Sequence, residues 1–143
     1  MTASSGSHNV GINHALQWAL ESPSDPAMAA ADWLAREIAP QASSAVELVT
    51  DPAVDLNTLT QAKNVFKTLR IVGETPADRR LGARMYACTI AAALVRHNKW
   101  ITRQSPADVR RVLESVHADD ALPEKLRLLA ELAICMPALR DRA

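Results

Sequence analysis

One group of residues near the end of the chain has the side-chain types needed for general acid–base catalysis. It comprises His117, Asp119, Asp120 and Glu124. The group places a titratable ring beside carboxylates, which is the arrangement that proton transfer requires. A structural role also explains these residues, because His117 would complement the dipole at a helix C-terminus and Asp119 or Asp120 could cap the next helix. We favour the structural role and predict that the protein is not an enzyme.

Histidine and cysteine spacing gives no metal signature. The histidines are His8, His14, His97 and His117. No two of them are four residues apart, and none has a cysteine at ligand distance in the sequence, so we predict no metal and no cofactor. Cys88 lies in an apolar stretch, whereas a nucleophilic thiol needs an accessible, electropositive pocket. We therefore expect Cys88 and Cys135 to be reduced, buried thiols of a cytoplasmic protein.

Basic side chains are the residues whose spacing points most directly to binding. Six of them could form one patch: Lys63, Lys67, Arg70, Arg79, Arg80 and Arg84. The first three share one face of a predicted helix, and the other three begin the next helix across a turn. Such a patch would bind an acidic protein surface or the phosphates of nucleic acid. The alternative is a solvated face that acidic helices of the same chain partly neutralise.

A tryptophan between cations distinguishes the segment that follows the second of these helices. Lys99, Trp100 and Arg103 have the composition of a hot spot at a protein interface. Trp100 can equally pack under its own loop, and we expect that outcome. A helix-turn-helix is disfavoured, because residues 98–105 are about twice as long as the usual 3–4-residue turn.

Apolar spacing and capping residues predict an all-α protein, a compact antiparallel bundle of about six or seven helices. Only 3% of the residues are aromatic, and Ala and Leu dominate where a sheet protein would carry β-branched residues and Tyr. The predicted helices cover residues 9–21, 26–38, 42–49, 58–72, 76–97, 106–117 and 123–136. Helix 76–97 is apolar around its whole circumference and rich in Gly and Ala, so we place it at the centre of the fold.

Polar and proline residues predict how these helices begin and end. Asp25 is a candidate N-cap, and Thr58 with Gln61 matches a capping box. Thr75 and Ser105 each precede a proline, with a carboxylate in the first turn, and we predict that each caps a helix. Gly73 is expected to end a helix in a left-handed conformation.

Charge is sorted along the chain, although the formal net charge is zero. Residues 1–59 contain seven acidic residues against Arg36 alone, whereas residues 60–111 contain eleven basic and three acidic residues. We predict a disordered tail at 1–8, acidic N-terminal helices over 9–51 and a central bundle over 52–143, together forming one domain. Residues 9–49 would then shield the basic surface electrostatically.

These observations favour a non-enzymatic protein–protein interaction module, an adaptor or self-associating subunit whose basic helix face binds an acidic protein surface or a second copy of the chain. The alternative is a nucleic-acid-binding accessory protein that uses the patch between Lys63 and Arg84. An enzyme whose pocket forms only in the fold is a third hypothesis. The first residues lack a secretory signal, and no apolar run is long enough to span a bilayer, so we expect a cytoplasmic location without membrane contact.

Overall fold

Helices account for 71% of the part of the chain that the structure, a computed structural model, describes, and no strand occurs there. That part comprises residues 26–140. Its six helices are α1 (Pro26–Ile38), α2 (Ala45–Thr50), α3 (Leu56–Val72), α4 (Pro76–His97), α5 (Pro106–Ala118) and α6 (Glu124–Ile134). They pack against one another, which confirms the predicted all-α helical bundle. The predicted tail, the helix at 9–21 and the Asp25 cap lie outside the described residues.

Two helix starts follow the predicted capping chemistry. The Thr75 hydroxyl accepts a hydrogen bond from the Asp78 backbone N–H, and the Asp78 carboxylate accepts one from the Thr75 N–H. The Ser105 hydroxyl caps α5 by accepting a hydrogen bond from the Asp108 N–H, without a reciprocal bond from the Asp108 carboxylate. Each cap satisfies N–H groups that a helix leaves without partners at its first turn. The boundaries of α4 and α5 were therefore readable from local chemistry.

Three other termini differ from the predictions. Helix α3 begins a turn earlier than expected, because Asp55 rather than Thr58 is its N-cap and accepts from the Thr58 N–H. Gly73 ends α3 at φ −57°, so the predicted left-handed conformation is wrong and Gly73 is instead needed for space. A Cβ there would lie 2.8 Å from the Cβ of Asp78. Helix α6 follows Pro123 and has no side-chain cap.

Helix α4 lies at the centre of the described bundle. Thirteen of its 22 residues are buried, including Met85, Ile90 and the run from 85 to 94. Gly82 allows α3 to approach, since a Cβ at this position would lie only 2.8 Å from the Cα of Arg70. Small residues on α4 thus allow the backbone of α3 to pack directly against the most buried helix of the fold.

Helices α1 and α2 belong to the same hydrophobic core as the other four. Ala31, Ala35, Leu48 and Val49 are fully buried in the cluster that also contains Ile90 of α4. The carboxylate of Asp32 accepts a hydrogen bond of 2.7 Å from the Ala45 N–H and so joins α1 to the start of α2. Between residues 26 and 140, no helix is both long and apolar enough to cross a membrane.

Candidate functional site: a basic groove beside helix α3

A groove of about 550 Å³ lies between α3 and the loop that joins α4 to α5, residues 98–105. We call it the basic groove, and its lining residues are Lys63, Asn64, Lys67, Arg70, Tyr86, Trp100, Ile101, Thr102, Arg103 and Gln104. Four of these side chains are cations and none is acidic. The groove therefore has the electrostatic character of a binding site for anions.

Helix α3 supplies three of the four cations. Lys63, Lys67 and Arg70 are separated by four and three residues, which places them along one side of the helix. The adjoining side of α3 carries Leu59, Phe66 and other fully buried residues of the core. Burial of that side places the basic residues at the edge of the core, where Lys67 is exposed and Lys63 and Arg70 are partly buried, so the packing of α3 determines where its charges lie.

The loop is attached to α3 by one of these cations. The Nζ of Lys63 donates a hydrogen bond of 2.6 Å to the carbonyl oxygen of Ile101. An ammonium group has three donors, so Lys63 keeps donors for a further acceptor. The contact gives the groove a defined width at this end, because it joins the helix wall directly to the loop wall.

Tyr86 of α4 connects the two walls from the interior. The guanidinium carbon of Arg70 lies 5.1 Å from the centroid of the Tyr86 ring, a cation–π contact. The Tyr86 hydroxyl forms a short hydrogen bond with the Thr102 hydroxyl, which also accepts from the Gln104 N–H. Only 5% of Tyr86 is exposed. The tyrosine thus orients Arg70 and the loop, and offers little surface of its own.

Trp100 occupies an intermediate position between a core anchor and an interface anchor. It packs against the hydrophobic core but is only partly buried. Its indole Nε1 donates a hydrogen bond of 3.3 Å to the carbonyl oxygen of Gln104, within the same loop. Part of the ring therefore supports the loop, and the rest is available at the groove.

The structure separates the remaining candidate residues from this site. Arg79 donates a hydrogen bond of 2.7 Å to the Gly73 carbonyl oxygen, and Arg84 forms an ion pair of 2.7 Å with Asp119. Arg80 and Lys99 are exposed outside the groove lining. The groove thus unites Lys63, Lys67, Arg70, Trp100 and Arg103. Tyr86, Thr102 and Gln104 were not among the predicted site residues, although Thr102 and Gln104 belong to the loop that the sequence distinguished. The only sign of Tyr86 was a hydroxyl-bearing side chain in an apolar helix.

The carboxylate cluster near His117 has structural contacts. Asp119 accepts hydrogen bonds from the Ala121 N–H and from Arg84, which together lower the pKa of its carboxyl group. Its backbone N–H donates to the Val116 carbonyl oxygen, so Asp119 ends α5. The prediction that Asp119 or Asp120 caps α6 was wrong, because α6 has no side-chain cap. His117 is exposed, 3.6 Å from the Glu131 carboxylate. Within the described residues, no group of three or more His, Cys, Asp or Glu could hold a metal ion.

The two cysteines occupy different environments. Cys88 is fully buried, and desolvation raises the pKa of its thiol to about 12, which keeps it protonated and unreactive. Cys135 is exposed at the end of α6, so the expectation that it is buried was wrong. The helical spacing did not reveal this, because the position follows the last turn of the helix.

Acidic residues of α1 and α2 interact with elements other than the basic groove. Asp32 accepts a hydrogen bond from the Ala45 N–H at the start of α2, and Glu47 forms an ion pair of 2.7 Å with Lys125 of α6. Across residues 28–140, no ion pair links an acidic side chain to any of the four groove cations. The described part of the acidic region therefore leaves the groove charges uncompensated.

A second groove, of about 460 Å³, lies where α2, α4 and α6 meet. Leu128 and Leu132 line it and are 50% and 59% exposed. Glu47, Asp51, Arg96 and Lys125 also contribute to its lining. Because both signs of charge are present, this groove lacks the electrostatic selectivity of the basic groove.

We compared the chain with models of protein families, with curated proteins and with solved structures, and none of the three comparisons found a match.

Proposed function

We propose that this protein is a non-enzymatic interaction module whose basic groove binds an acidic surface of a protein partner. The observation that carries the proposal is the convergence of Lys63, Lys67, Arg70 and Arg103 on one groove with no acidic residue in its lining. Four like charges at close quarters repel one another, and an anionic partner relieves that repulsion. Lys63 and Arg70 are partly buried and positioned by neighbours, which reduces the entropy lost on binding.

A nucleic-acid partner is the second candidate, because Trp100 stands beside the cations and bases stack on aromatic rings. Tyr86 does not add a second stacking surface, since its ring is only 5% exposed and lies beneath Arg70. Single-strand binders use aromatic side chains for successive bases. One partly exposed tryptophan is a weaker platform, and we therefore favour a protein partner.

The acidic partner surface belongs either to another protein or to a second copy of this chain. Both sources present the same carboxylates. Sedimentation equilibrium at low salt distinguishes them, because only binding between copies makes the apparent mass of the protein rise with its concentration. We place the module in the cytoplasm, where the free thiols of Cys88 and Cys135 would remain reduced.

The test compares two double variants that lose the same charge. Lys67→Ala with Arg103→Ala removes two exposed cations from the groove, whereas Arg80→Ala with Arg111→Ala removes two exposed cations elsewhere. We expect the groove variant to bind a fluorescent polyglutamate peptide about tenfold more weakly at low salt, and the control variant to change by less than about twofold. Anisotropy titration measures both.

Two results would contradict the proposal. Equal loss in both double variants would mean that binding follows net charge and does not involve the groove. Tighter binding of a single-stranded oligonucleotide than of polyglutamate at the same charge and salt would favour the nucleic-acid function.

A further inference from the structure

We propose that the basic groove takes an extended segment in which acidic side chains alternate with apolar ones. The inference rests on the proposed function and specifies the form of the acidic partner. It follows from two properties of the groove: the spacing of the cations on α3 and the chemistry of the loop wall.

The cations on α3 have a spacing that an extended chain can match. A helix rises 1.5 Å per residue, so along its axis Lys67 lies about 6 Å from Lys63 and Arg70 about 10 Å from Lys63. In an extended chain, side chains on one face recur about every 6.7 Å. Two alternate carboxylates thus match Lys63 and Lys67, and a third lies within reach of the Arg70 guanidinium.

The loop wall differs chemically from the α3 wall. Trp100 and Ile101 are both partly buried and line the groove, so each presents apolar surface there. In an extended segment, the residues between the acidic ones point to the opposite face. Apolar side chains at those positions would cover Trp100 and Ile101, whereas carboxylates would lose hydration against them.

The lining of the groove favours an extended segment over a helix. Helices dock through apolar faces into apolar grooves, whereas this lining contains four cations.

The experiment uses three capped peptides, each with three glutamates, and the full-length protein. The first contains Glu-Val-Glu-Val-Glu, the second contains Glu-Glu-Glu-Val-Val, and the third places glutamates four and three residues apart in an alanine helix. We expect the alternating peptide to bind about tenfold more tightly than either of the others, as measured by isothermal titration calorimetry.

Two single variants assign the effect to the two walls. Ile101→Ala should reduce the preference for the alternating peptide over the block isomer, because it removes apolar surface from the loop wall. Lys67→Ala should weaken both peptides by the same factor and leave the preference unchanged. Circular dichroism melting curves confirm that each variant is folded before titration.

The outcomes separate this inference from the proposed function. If the block isomer or the helical peptide binds as tightly as the alternating peptide, the extended alternating form is overturned while acidic binding stands. If no peptide and no polyglutamate binds the folded protein, the proposed function itself fails. An unchanged preference in Ile101→Ala would also overturn the role of the loop wall.

Discussion

Trp100 has two roles because its ring is shared between the core and the groove. One part of the ring packs against the core, and its Nε1 donates to the Gln104 carbonyl oxygen. The residue therefore supports the loop that forms one wall of the binding site. Stability and binding depend on the same side chain, so a substitution should affect both.

We expect Trp100→Ala to lower the free energy of unfolding by about 2 kcal/mol, less than the 3–5 kcal/mol of a fully buried tryptophan, because the ring is only partly buried. Polyglutamate binding should weaken in the folded variant. Urea denaturation and anisotropy titration measure the two effects. Trp100→Phe is the matched control, since it keeps most of the apolar surface and loses the hydrogen bond to Gln104. Unchanged binding in a folded Trp100→Ala variant would assign the residue to the core alone.

Two carboxylates near helix starts should respond to pH in opposite directions. Burial raises the pKa of Asp32 despite the hydrogen bond from Ala45, whereas hydrogen bonds from Thr58 lower the pKa of Asp55. A raised pKa in the folded state means that the unfolded chain loses its proton first, so stability falls as pH rises through the folded pKa. A lowered pKa has the opposite effect, and stability is lost as pH falls through it.

We expect Asp32→Asn to gain stability relative to the parent protein between about pH 3 and about pH 7, because asparagine keeps the acceptor for Ala45 without the buried charge. Asp55→Asn is the control and should lose stability relative to the parent over the same interval. Urea unfolding at several pH values measures both differences. If both variants lose stability relative to the parent, burial does not outweigh the hydrogen bond from Ala45 at Asp32.

At the scale of helices, the contact between α3 and α4 determines the geometry of the groove. Gly82 of α4 faces the backbone of α3 at Arg70, which itself lies over Tyr86 of α4. Any increase in the separation of the two helices moves Arg70 away from Tyr86. The basic site is therefore coupled to a close backbone contact in the core.

We expect Gly82→Ala to destabilise the protein by about 1–3 kcal/mol through overpacking, although alanine has the higher helix propensity. The added Cβ would meet the Arg70 Cα at 2.8 Å, and backbone atoms move only with the whole helix. Polyglutamate binding should also weaken as Arg70 is displaced. Thermal unfolding and anisotropy measure these effects. A rise in melting temperature, the usual result of Gly→Ala in an uncrowded helix, would contradict the close contact.

At the scale of the whole molecule, the sorted charges of the sequence do not all neutralise one another. Among the described residues, Asp32 and Glu47 contact α2 and α6, and Glu37 is exposed. None of them forms an ion pair with the groove cations. The groove cations thus have no acidic partner from α1 or α2, and an acidic surface of another molecule could supply one.

We expect Glu37→Gln and Glu47→Gln to change polyglutamate binding by less than about twofold at low salt, because neither carboxylate forms an ion pair with a groove cation and solvent ions screen weaker interactions. Anisotropy titration at two salt concentrations measures the effect, with the Lys67→Ala and Arg103→Ala double variant as the positive control. Binding that tightens several-fold in Glu37→Gln would show that the acidic helices shield the groove.

The sequence alone determined the fold class, the position of α4 and the starts of α4 and α5. Helical periodicity and the caps at Thr75 and Ser105 act within a single turn, so neighbouring residues suffice to predict them. The same local pattern placed Lys63, Lys67 and Arg70 on one face. It misplaced the start of α3 and the conformation of Gly73, where Asp55 and the crowding against Asp78 decided the outcome.

The tertiary structure alone decided which cations share a site. Residues 98–105 return to α3 because Lys63 bonds to Ile101 and Tyr86 bonds to Thr102, contacts that join residues 38 and 16 positions apart. The same packing directs Arg84 to Asp119, 35 positions away, and so removes it from the groove. Charge spacing along one helix carries no information about such partners, because they depend on how separate helices pack around the core.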